Sequence, residues 1–167
     1  MIIVRLSKAL TVAAIALLFS LVAFGNITDY GTNLPFVQHV LMMDTTFPAA
    51  SIRYRAINVE ALHHAAYLII ISTEVISAAL CWVGAVQLFK HLKSDAITFG
   101  RAKNSAVAGL TIGYLLWQVG LIIVGGEWFG MWMSHEWNGI DSAFRFLVMT
   151  LGALIYISLP DADRLVQ

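Results

Sequence analysis

The sequence predicts an all-α membrane protein with four transmembrane helices. Two observations predict this class. The chain is 59% hydrophobic and only 12% charged, whereas an ordinary soluble domain carries about 25% charged residues. It also contains four apolar runs close to the roughly 20 residues that cross about 30 Å of hydrocarbon. We expect residues 1–167 to form a single transmembrane domain. With a formal net charge of zero and no basic patch, nucleic acid is not expected as a partner.

The first predicted span covers about residues 9–25 and follows Arg5 and Lys8. A basic start, an apolar middle and Ala23-Phe24-Gly25 would also fit a secretory signal peptide with a cleavage site. We expect a retained span rather than a removed leader.

The loop after the first span is long and has a predicted helix of its own. Asn33 is a plausible N-cap, with Pro35 in the first turn. The sequence PFVQHVLMM has apolar residues at helical spacing. A short amphipathic helix over about 35–43, lying in the membrane interface, is therefore expected.

Three further spans follow, at about 61–89, 105–125 and 144–159. The third carries Gly109, Gly113 and Gly120 at spacings of four and seven, which places them on one helical face. Small residues four apart let two membrane helices approach closely. This face predicts a helix crossing, either within one chain or between copies. A thin four-helix bundle also favours a homo-oligomer, with a trimer as the first expectation.

The distribution of basic residues predicts the orientation. Cytoplasmic loops of membrane proteins carry an excess of lysine and arginine. One set of ends and loops holds seven basic residues and the other holds three: Arg5, Lys8, Lys90, Lys93, Arg101, Lys103 and Arg164 against Arg53, Arg55 and Arg145. We expect a multi-pass protein of the bacterial inner membrane with both termini in the cytoplasm.

Glu74 is the most unusual residue, because it lies near the middle of an apolar span. A carboxylate at the centre of a bilayer costs about 2.5 kcal/mol or more on insertion scales. It is either a proton or cation site, or an acid that is hydrogen-bonded to another helix. Gln118, midway along the third span, is the first expected partner.

A polar pocket is predicted at the outer ends of the helices. Its candidate members are Glu60, His63, His64, Glu127 and Arg145. Glu60 and His63 form one E-x-x-H pair, whereas carboxylate-bridged di-metal bundles use two copies and two further glutamates. Histidines in facing helices at suitable depth, as bis-histidine haem needs, are absent. We therefore expect no metal and no other cofactor.

The stretch GGEWFGMWMSHEWNG, residues 125–139, follows the third span. Tryptophan is enriched at membrane interfaces, where its ring meets lipid and its N–H meets polar groups. Trp128, Trp132 and Trp137 are therefore predicted to be interfacial anchors.

Four segments together resemble a known family. They are NITDYGTNLPFVQHVLMMDTTF (26–47), YRAINVEALHHAAYLIIISTE (54–74), FGRAKNSAVAGL (99–110) and GGEWFGMWMSHEWNGIDSAFRF (125–146). Their order and spacing resemble the bacterial family called domain of unknown function 2165, the predicted small integral membrane proteins. The resemblance covers nearly the whole chain. It implies four spans in the inner membrane and no known reaction, substrate or cofactor.

Three classes of function remain open. The first is a non-enzymatic membrane protein that supports the envelope, binds lipid or attaches to another membrane complex. The second is a small channel or transporter for protons or cations that uses Glu74. The third is a membrane enzyme or metal site at the periplasmic rim. The chain shows no nucleophile–base pair and no phosphate-binding glycine loop, so the enzyme class is the least expected.

Overall fold

The computed structural model describes residues 2–161, and these residues form an antiparallel bundle of helices. Its helices are α1 (Ile2–Thr28), α2 (Tyr30–Met42), α3 (Glu60–Lys90), α4 (Ala96–Arg101), α5 (Asn104–Leu115) and α6 (Ile140–Ser158). A π-helical segment, Leu116–Trp128, continues α5, and single 3₁₀ turns lie at Ser51–Arg55 and Met131–Met133. Arg164, one of the basic residues that we expect on the cytoplasmic side, lies outside the described residues.

Four helices are long and apolar enough to cross a membrane, which confirms the predicted fold class. They are Ile2–Thr28, Glu60–Lys90, Ala96–Trp128 and Ile140–Ser158. Each is longer than the apolar run that predicted it. Polar residues such as Arg5 and Glu60 continue the helices past the apolar stretch, because helix formation does not stop where hydrocarbon would.

The second helix is present, but its predicted start was wrong. It begins at Tyr30 rather than at residue 35, and Pro35 lies inside it. Asn33 is not an N-cap. Its side-chain amide instead donates 3.1 Å to the carbonyl oxygen of Asp29, one helical turn earlier.

The two ends of the bundle are distinct. At the terminal end, α1 begins beside the loop after α3, where Arg5 donates 3.3 Å to the carbonyl of Leu92. At the loop end, Asn26 of α1 contacts Glu74 of α3. Charges sort between these ends as predicted. The described basic residues of the larger set lie at the terminal end, and Arg53, Arg55 and Arg145 lie at the loop end.

Glycines bring α3 and α5 into unusually close contact. A Cβ added to Gly84 would lie 2.5 Å from the backbone nitrogen of Ala106, and one added to Gly109 would lie 2.9 Å from that of Cys81. On Gly113 it would lie 2.4 Å from the ring of Phe19 in α1. The crossing therefore lies within one chain. A Cβ on Gly120, by contrast, would meet only Leu116 of its own helix, at 3.6 Å.

A buried apolar cluster fills the space between α1, α3, α5 and α6 on the terminal side of Glu74. Most of its members are small or branched: Ala9, Val12, Ile15, Ala16, Phe19, Ala78, Cys81, Ala85, Leu88, Phe99, Ala102, Ala106, Leu110, Ala153 and Ile157. Small side chains suit such a core, because membrane helices associate mainly through close van der Waals packing.

A buried ionic cluster fastens the end of α6 to the start of α1. Lys8 donates 2.7 Å to the carbonyl of Leu159 and 3.0 Å to a carboxylate oxygen of Asp161. Lys103 donates 2.9 Å to the same carbonyl and forms an ion pair with Asp161. The side chains of Lys8 and Asp161 are only 1% and 5% exposed. Two ammonium groups thus share one carboxylate.

We expect Gly84→Ala to destabilise the bundle by about 1–3 kcal/mol, because overpacking at a tight backbone contact forces the helices apart. Gly152→Ala is the matched control, since an added Cβ there meets nothing within 4 Å. Thermal unfolding in detergent checks both variants. Equal unfolding temperatures would contradict the proposed close crossing.

We expect Asp161→Asn to lower the free energy of unfolding by about 3 kcal/mol, because it leaves two buried lysines without their counter-charge. Glu136→Gln, at an exposed position, is the control.

The same carboxylate predicts a pH dependence. Burial alone would raise the pKa of Asp161, but the hydrogen bonds and charges of Lys103 and Lys8 outweigh it and hold this pKa below its ordinary value. Its stabilisation is therefore complete above about pH 4 and is lost as the pH falls through the lowered value. The unfolding temperature of the wild type should fall more steeply below pH 4 than that of Asp161→Asn. Parallel curves would overturn this assignment.

Candidate functional site: a cavity beside Glu74

Glu74 is buried, with 1% of its surface exposed. Its hydrogen-bond partner is Asn26 of α1, rather than Gln118. The side-chain amide of Asn26 donates to both carboxylate oxygens, at 3.1 and 2.9 Å. Gln118 lies half buried on the third span and makes no hydrogen bond to Glu74 in residues 2–161.

The depth of Glu74 differs from what its place in α3 indicates. It is close to the middle of that helix by residue count. Its partner Asn26, however, lies only two residues before the end of α1 at Thr28. Glu74 is therefore level with the loop end of α1, because α3 extends further in that direction than α1 does.

Tyr67, two turns before Glu74 on α3, completes a short polar chain. Its hydroxyl lies 3.2 Å from both the backbone and the side-chain oxygen of Asn26 and donates to them. The ring packs against Val37 and Ile71 and lies 4.7 Å from the ring of Tyr30. The side chain of Asn26 therefore accepts a hydrogen bond from Tyr67 and donates to Glu74. These contacts fix its orientation.

A cavity of about 190 Å³ lies against this chain, and we call it the polar cavity. Its polar lining comes from α1, α2, α3 and the π-helical segment: Asn26, Asn33, Tyr67, Glu74 and Trp117. Glu74 is the one charged residue in that lining. The indole nitrogen of Trp117 is buried without a hydrogen-bond partner in the described chain, although its ring stacks on Phe146 at 4.4 Å.

A second cavity of about 240 Å³, the apolar cavity, adjoins the first. Every residue that lines it is apolar or glycine. Phe36, Val37, Ile70 and Leu121 line both cavities. Together they form a site with one charged, hydrogen-bonding end and one hydrocarbon end.

The π-helical segment Leu116–Trp128 forms one wall of both cavities, through Trp117 and Leu121 on the polar side and Gly120 and Val124 on the apolar side. Such i→i+5 hydrogen bonding is rare in proteins overall, but where it occurs it is often at a functional site. The wider turn changes which side chains face the cavities, and it could not be recognised in the apolar sequence.

The histidines at the start of α3 are used in local contacts. His63 is buried, and its Nε2 lies 2.8 Å from the carbonyl oxygen of Ile57. His64 contacts the hydroxyl of Tyr30 at 2.7 Å and lies 3.8 Å from the carboxylate of Glu60. The side chain of Glu60 is otherwise 82% exposed. The His64 contact links α2 to α3, and both histidines have local partners.

Glu127 and Arg145, the other predicted pocket members, are exposed and form no ion pair within residues 2–161. The described chain also brings no three His, Cys, Asp or Glu side chains into a metal-binding group. The structure therefore does not assemble the predicted rim pocket. The reason is helical phase, which turns His63 into the bundle and Glu60 away from it.

Two of the predicted anchor tryptophans, Trp132 and Trp137, lie in a cap formed by the loops 43–59 and 129–139, and Trp128 ends the π-helical segment beside it. The guanidinium of Arg55 lies 4.4 Å above the ring of Trp128, and His39 stacks on Trp137 at 4.5 Å. Trp132 meets Phe47 edge to face at 5.8 Å. Trp128 and Trp132 remain 52% and 48% exposed, whereas Trp137 is half buried against His39. The role of all three as interfacial anchors stays a prediction.

Sequence reasoning found Glu74 but missed Asn26, Tyr67 and Trp117. Asn26 looked like the first residue of a loop, because it follows directly after the apolar run. The sequence gives no strong signal that the helix continues through Asn26, because Gly25 precedes it and the β-branched Ile27 and Thr28 follow it. Nothing in the sequence marked Trp117 as different from the other apolar residues of its span.

The sequence profile of a family described as predicted small integral membrane protein (DUF2165) matches residues 4–160. No curated protein and no solved structure matches the chain significantly. The matched range takes in all four spans, the loop cap and the cavity beside Glu74. The chain therefore belongs to the DUF2165 family of predicted small integral membrane proteins.

Proposed function

We propose that this protein is a non-enzymatic membrane protein that binds one amphiphilic lipid molecule. The observation that carries the proposal is the pair of adjoining cavities beside Glu74. The polar cavity suits a head group and the apolar cavity suits part of a hydrocarbon tail. Ligand pockets are usually concave and mostly apolar, with a few placed polar groups that fix orientation.

Binding is favoured over conduction by the packing on the terminal side of Glu74. A path for protons or cations would need polar groups or water across the whole bundle. Here the buried cluster of Phe19, Ala78, Cys81 and their neighbours fills the space between α1, α3 and α5. Ser77 is the one buried polar side chain of α3 in that direction. The polar chain from Tyr67 to Glu74 therefore ends within the bundle.

We propose the inner membrane as the location, with the terminal end of the bundle in the cytoplasm. The support is the sorting of basic residues between the two ends. Alkaline phosphatase fused after residue 161 should be inactive, and phosphatase inserted at Ala49 in the exposed loop should be active. The reverse pattern would invert the orientation. The homo-oligomer, with a trimer first, and attachment to another membrane complex stay predictions.

We expect Ala66→Phe to reduce lipid binding strongly, because the ring would fill part of the apolar cavity that Ala66 lines. Ala65→Phe is the matched control, since Ala65 is the neighbouring, exposed residue of α3. Native mass spectrometry of the protein purified in mild detergent measures co-purified lipid. We expect one lipid per chain in the wild type and in Ala65→Phe.

Two results would contradict lipid binding. One is wild-type protein that carries no lipid and gains no thermal stability from added amphiphiles. The other is equal occupancy in Ala66→Phe and Ala65→Phe, which would place any bound lipid on the outer surface of the bundle. Thermal unfolding of both variants confirms that each is folded.

A further inference from the structure

This inference rests on the proposed lipid binding and concerns the head group. The carboxylate of Glu74 has no cationic neighbour in the polar cavity. Within the described residues, no Lys, Arg or His contributes to its lining. The nearest acid along α1 and α2, Asp29, would add negative charge rather than balance it.

The free-energy cost of burying the Glu74 carboxylate is poorly offset, because no cation of the described chain pairs with it in the cavity. Removing an ion from water costs several kcal/mol, and a pair repays this only with good geometry and further hydrogen bonds. Glu74 receives one amide group, since both of its hydrogen bonds come from Asn26. An ionised carboxylate offers about four acceptor positions. Acceptor capacity therefore remains on a carboxylate that lines a cavity.

A second observation points to a missing occupant. Trp117 also lines the polar cavity and is 8% exposed, and its indole nitrogen has no partner within residues 2–161. A buried donor without an acceptor costs about 1–3 kcal/mol. Two residues of the same lining therefore have unused hydrogen-bonding capacity, Glu74 as an acceptor and Trp117 as a donor.

We propose that the lipid bound here carries a protonated amine in its head group. The ammonium donates to the carboxylate of Glu74, and the tail enters the apolar cavity past Phe36 and Leu121. Charge-assisted hydrogen bonds are roughly twice as strong as neutral ones, so an ammonium head is selected over a neutral head of similar size.

The test compares two amphiphiles with the same tail, dodecylamine and dodecanol, at pH 7. Binding to purified protein in a non-ionic detergent is followed by native mass spectrometry and by thermal stabilisation. We expect the wild type to prefer dodecylamine by about tenfold or more, because a hydrogen bond to a charged group is worth more than a neutral one. Ala66→Phe measures the non-specific partitioning of each amphiphile.

Glu74→Gln should abolish the preference for the amine, because the amide keeps the shape of the side chain and removes its charge. Glu60→Gln is the control with the same change at an exposed position of the same helix. An amine preference that persists in Glu74→Gln overturns the assignment to Glu74. If Glu74→Gln fails to fold, the comparison of dodecylamine with dodecanol in the wild type tests the amine head group by itself.

The outcomes separate the two proposals. Equal binding of amine and alcohol by the wild type, with both blocked by Ala66→Phe, overturns the amine head group and supports lipid binding. Binding of neither amphiphile, together with no co-purified lipid, overturns both. A clear amine preference that depends on Glu74 and Ala66 supports both.

Discussion

The backbone contact between α3 and α5 is the constraint on which the other features depend. Gly84 and Gly109 let the two helices meet at distances that a side chain would prevent. In hydrocarbon, where apolar residues gain little from avoiding lipid, such contacts supply much of the association energy. This contact leaves α3 with one face on α5 and another on α1. Glu74 points to that second face, and it therefore meets Asn26.

The two cavities beside Glu74 exist because the bundle is packed closely on the terminal side of Glu74 and less closely towards the loop end. On the terminal side, small residues pack α1, α3 and α5 closely around Phe19. Towards the loop end, α2 packs against α3 and the third span widens into a π-helix, and space remains between the helices. The two cavities lie in this space. A carboxylate placed there lines a cavity, whereas one placed a few turns lower would be packed among apolar side chains.

The sequence predicted the spans well, because the length of an apolar run and the sparing use of charge depend on the chain alone. It also identified Glu74 as an outlier for the same reason. It could not identify Asn26 as the partner, since that depends on how far α3 extends past α1. The predicted rim pocket does not form, because His63 and Glu60 lie on different faces of α3. His63 faces inward and contacts Ile57, and Glu60 faces the exterior.

The cluster of Lys8, Lys103 and Asp161 joins positions near the two ends of the described chain. During synthesis, Lys8 and Lys103 are made long before their shared carboxylate. Their charges must stay hydrated until the last turn of α6 has emerged and Asp161 can be buried with them. The closure of the terminal end is therefore a late event in biogenesis. A chain cut short before residue 161 would leave Lys8 and Lys103 without their shared carboxylate.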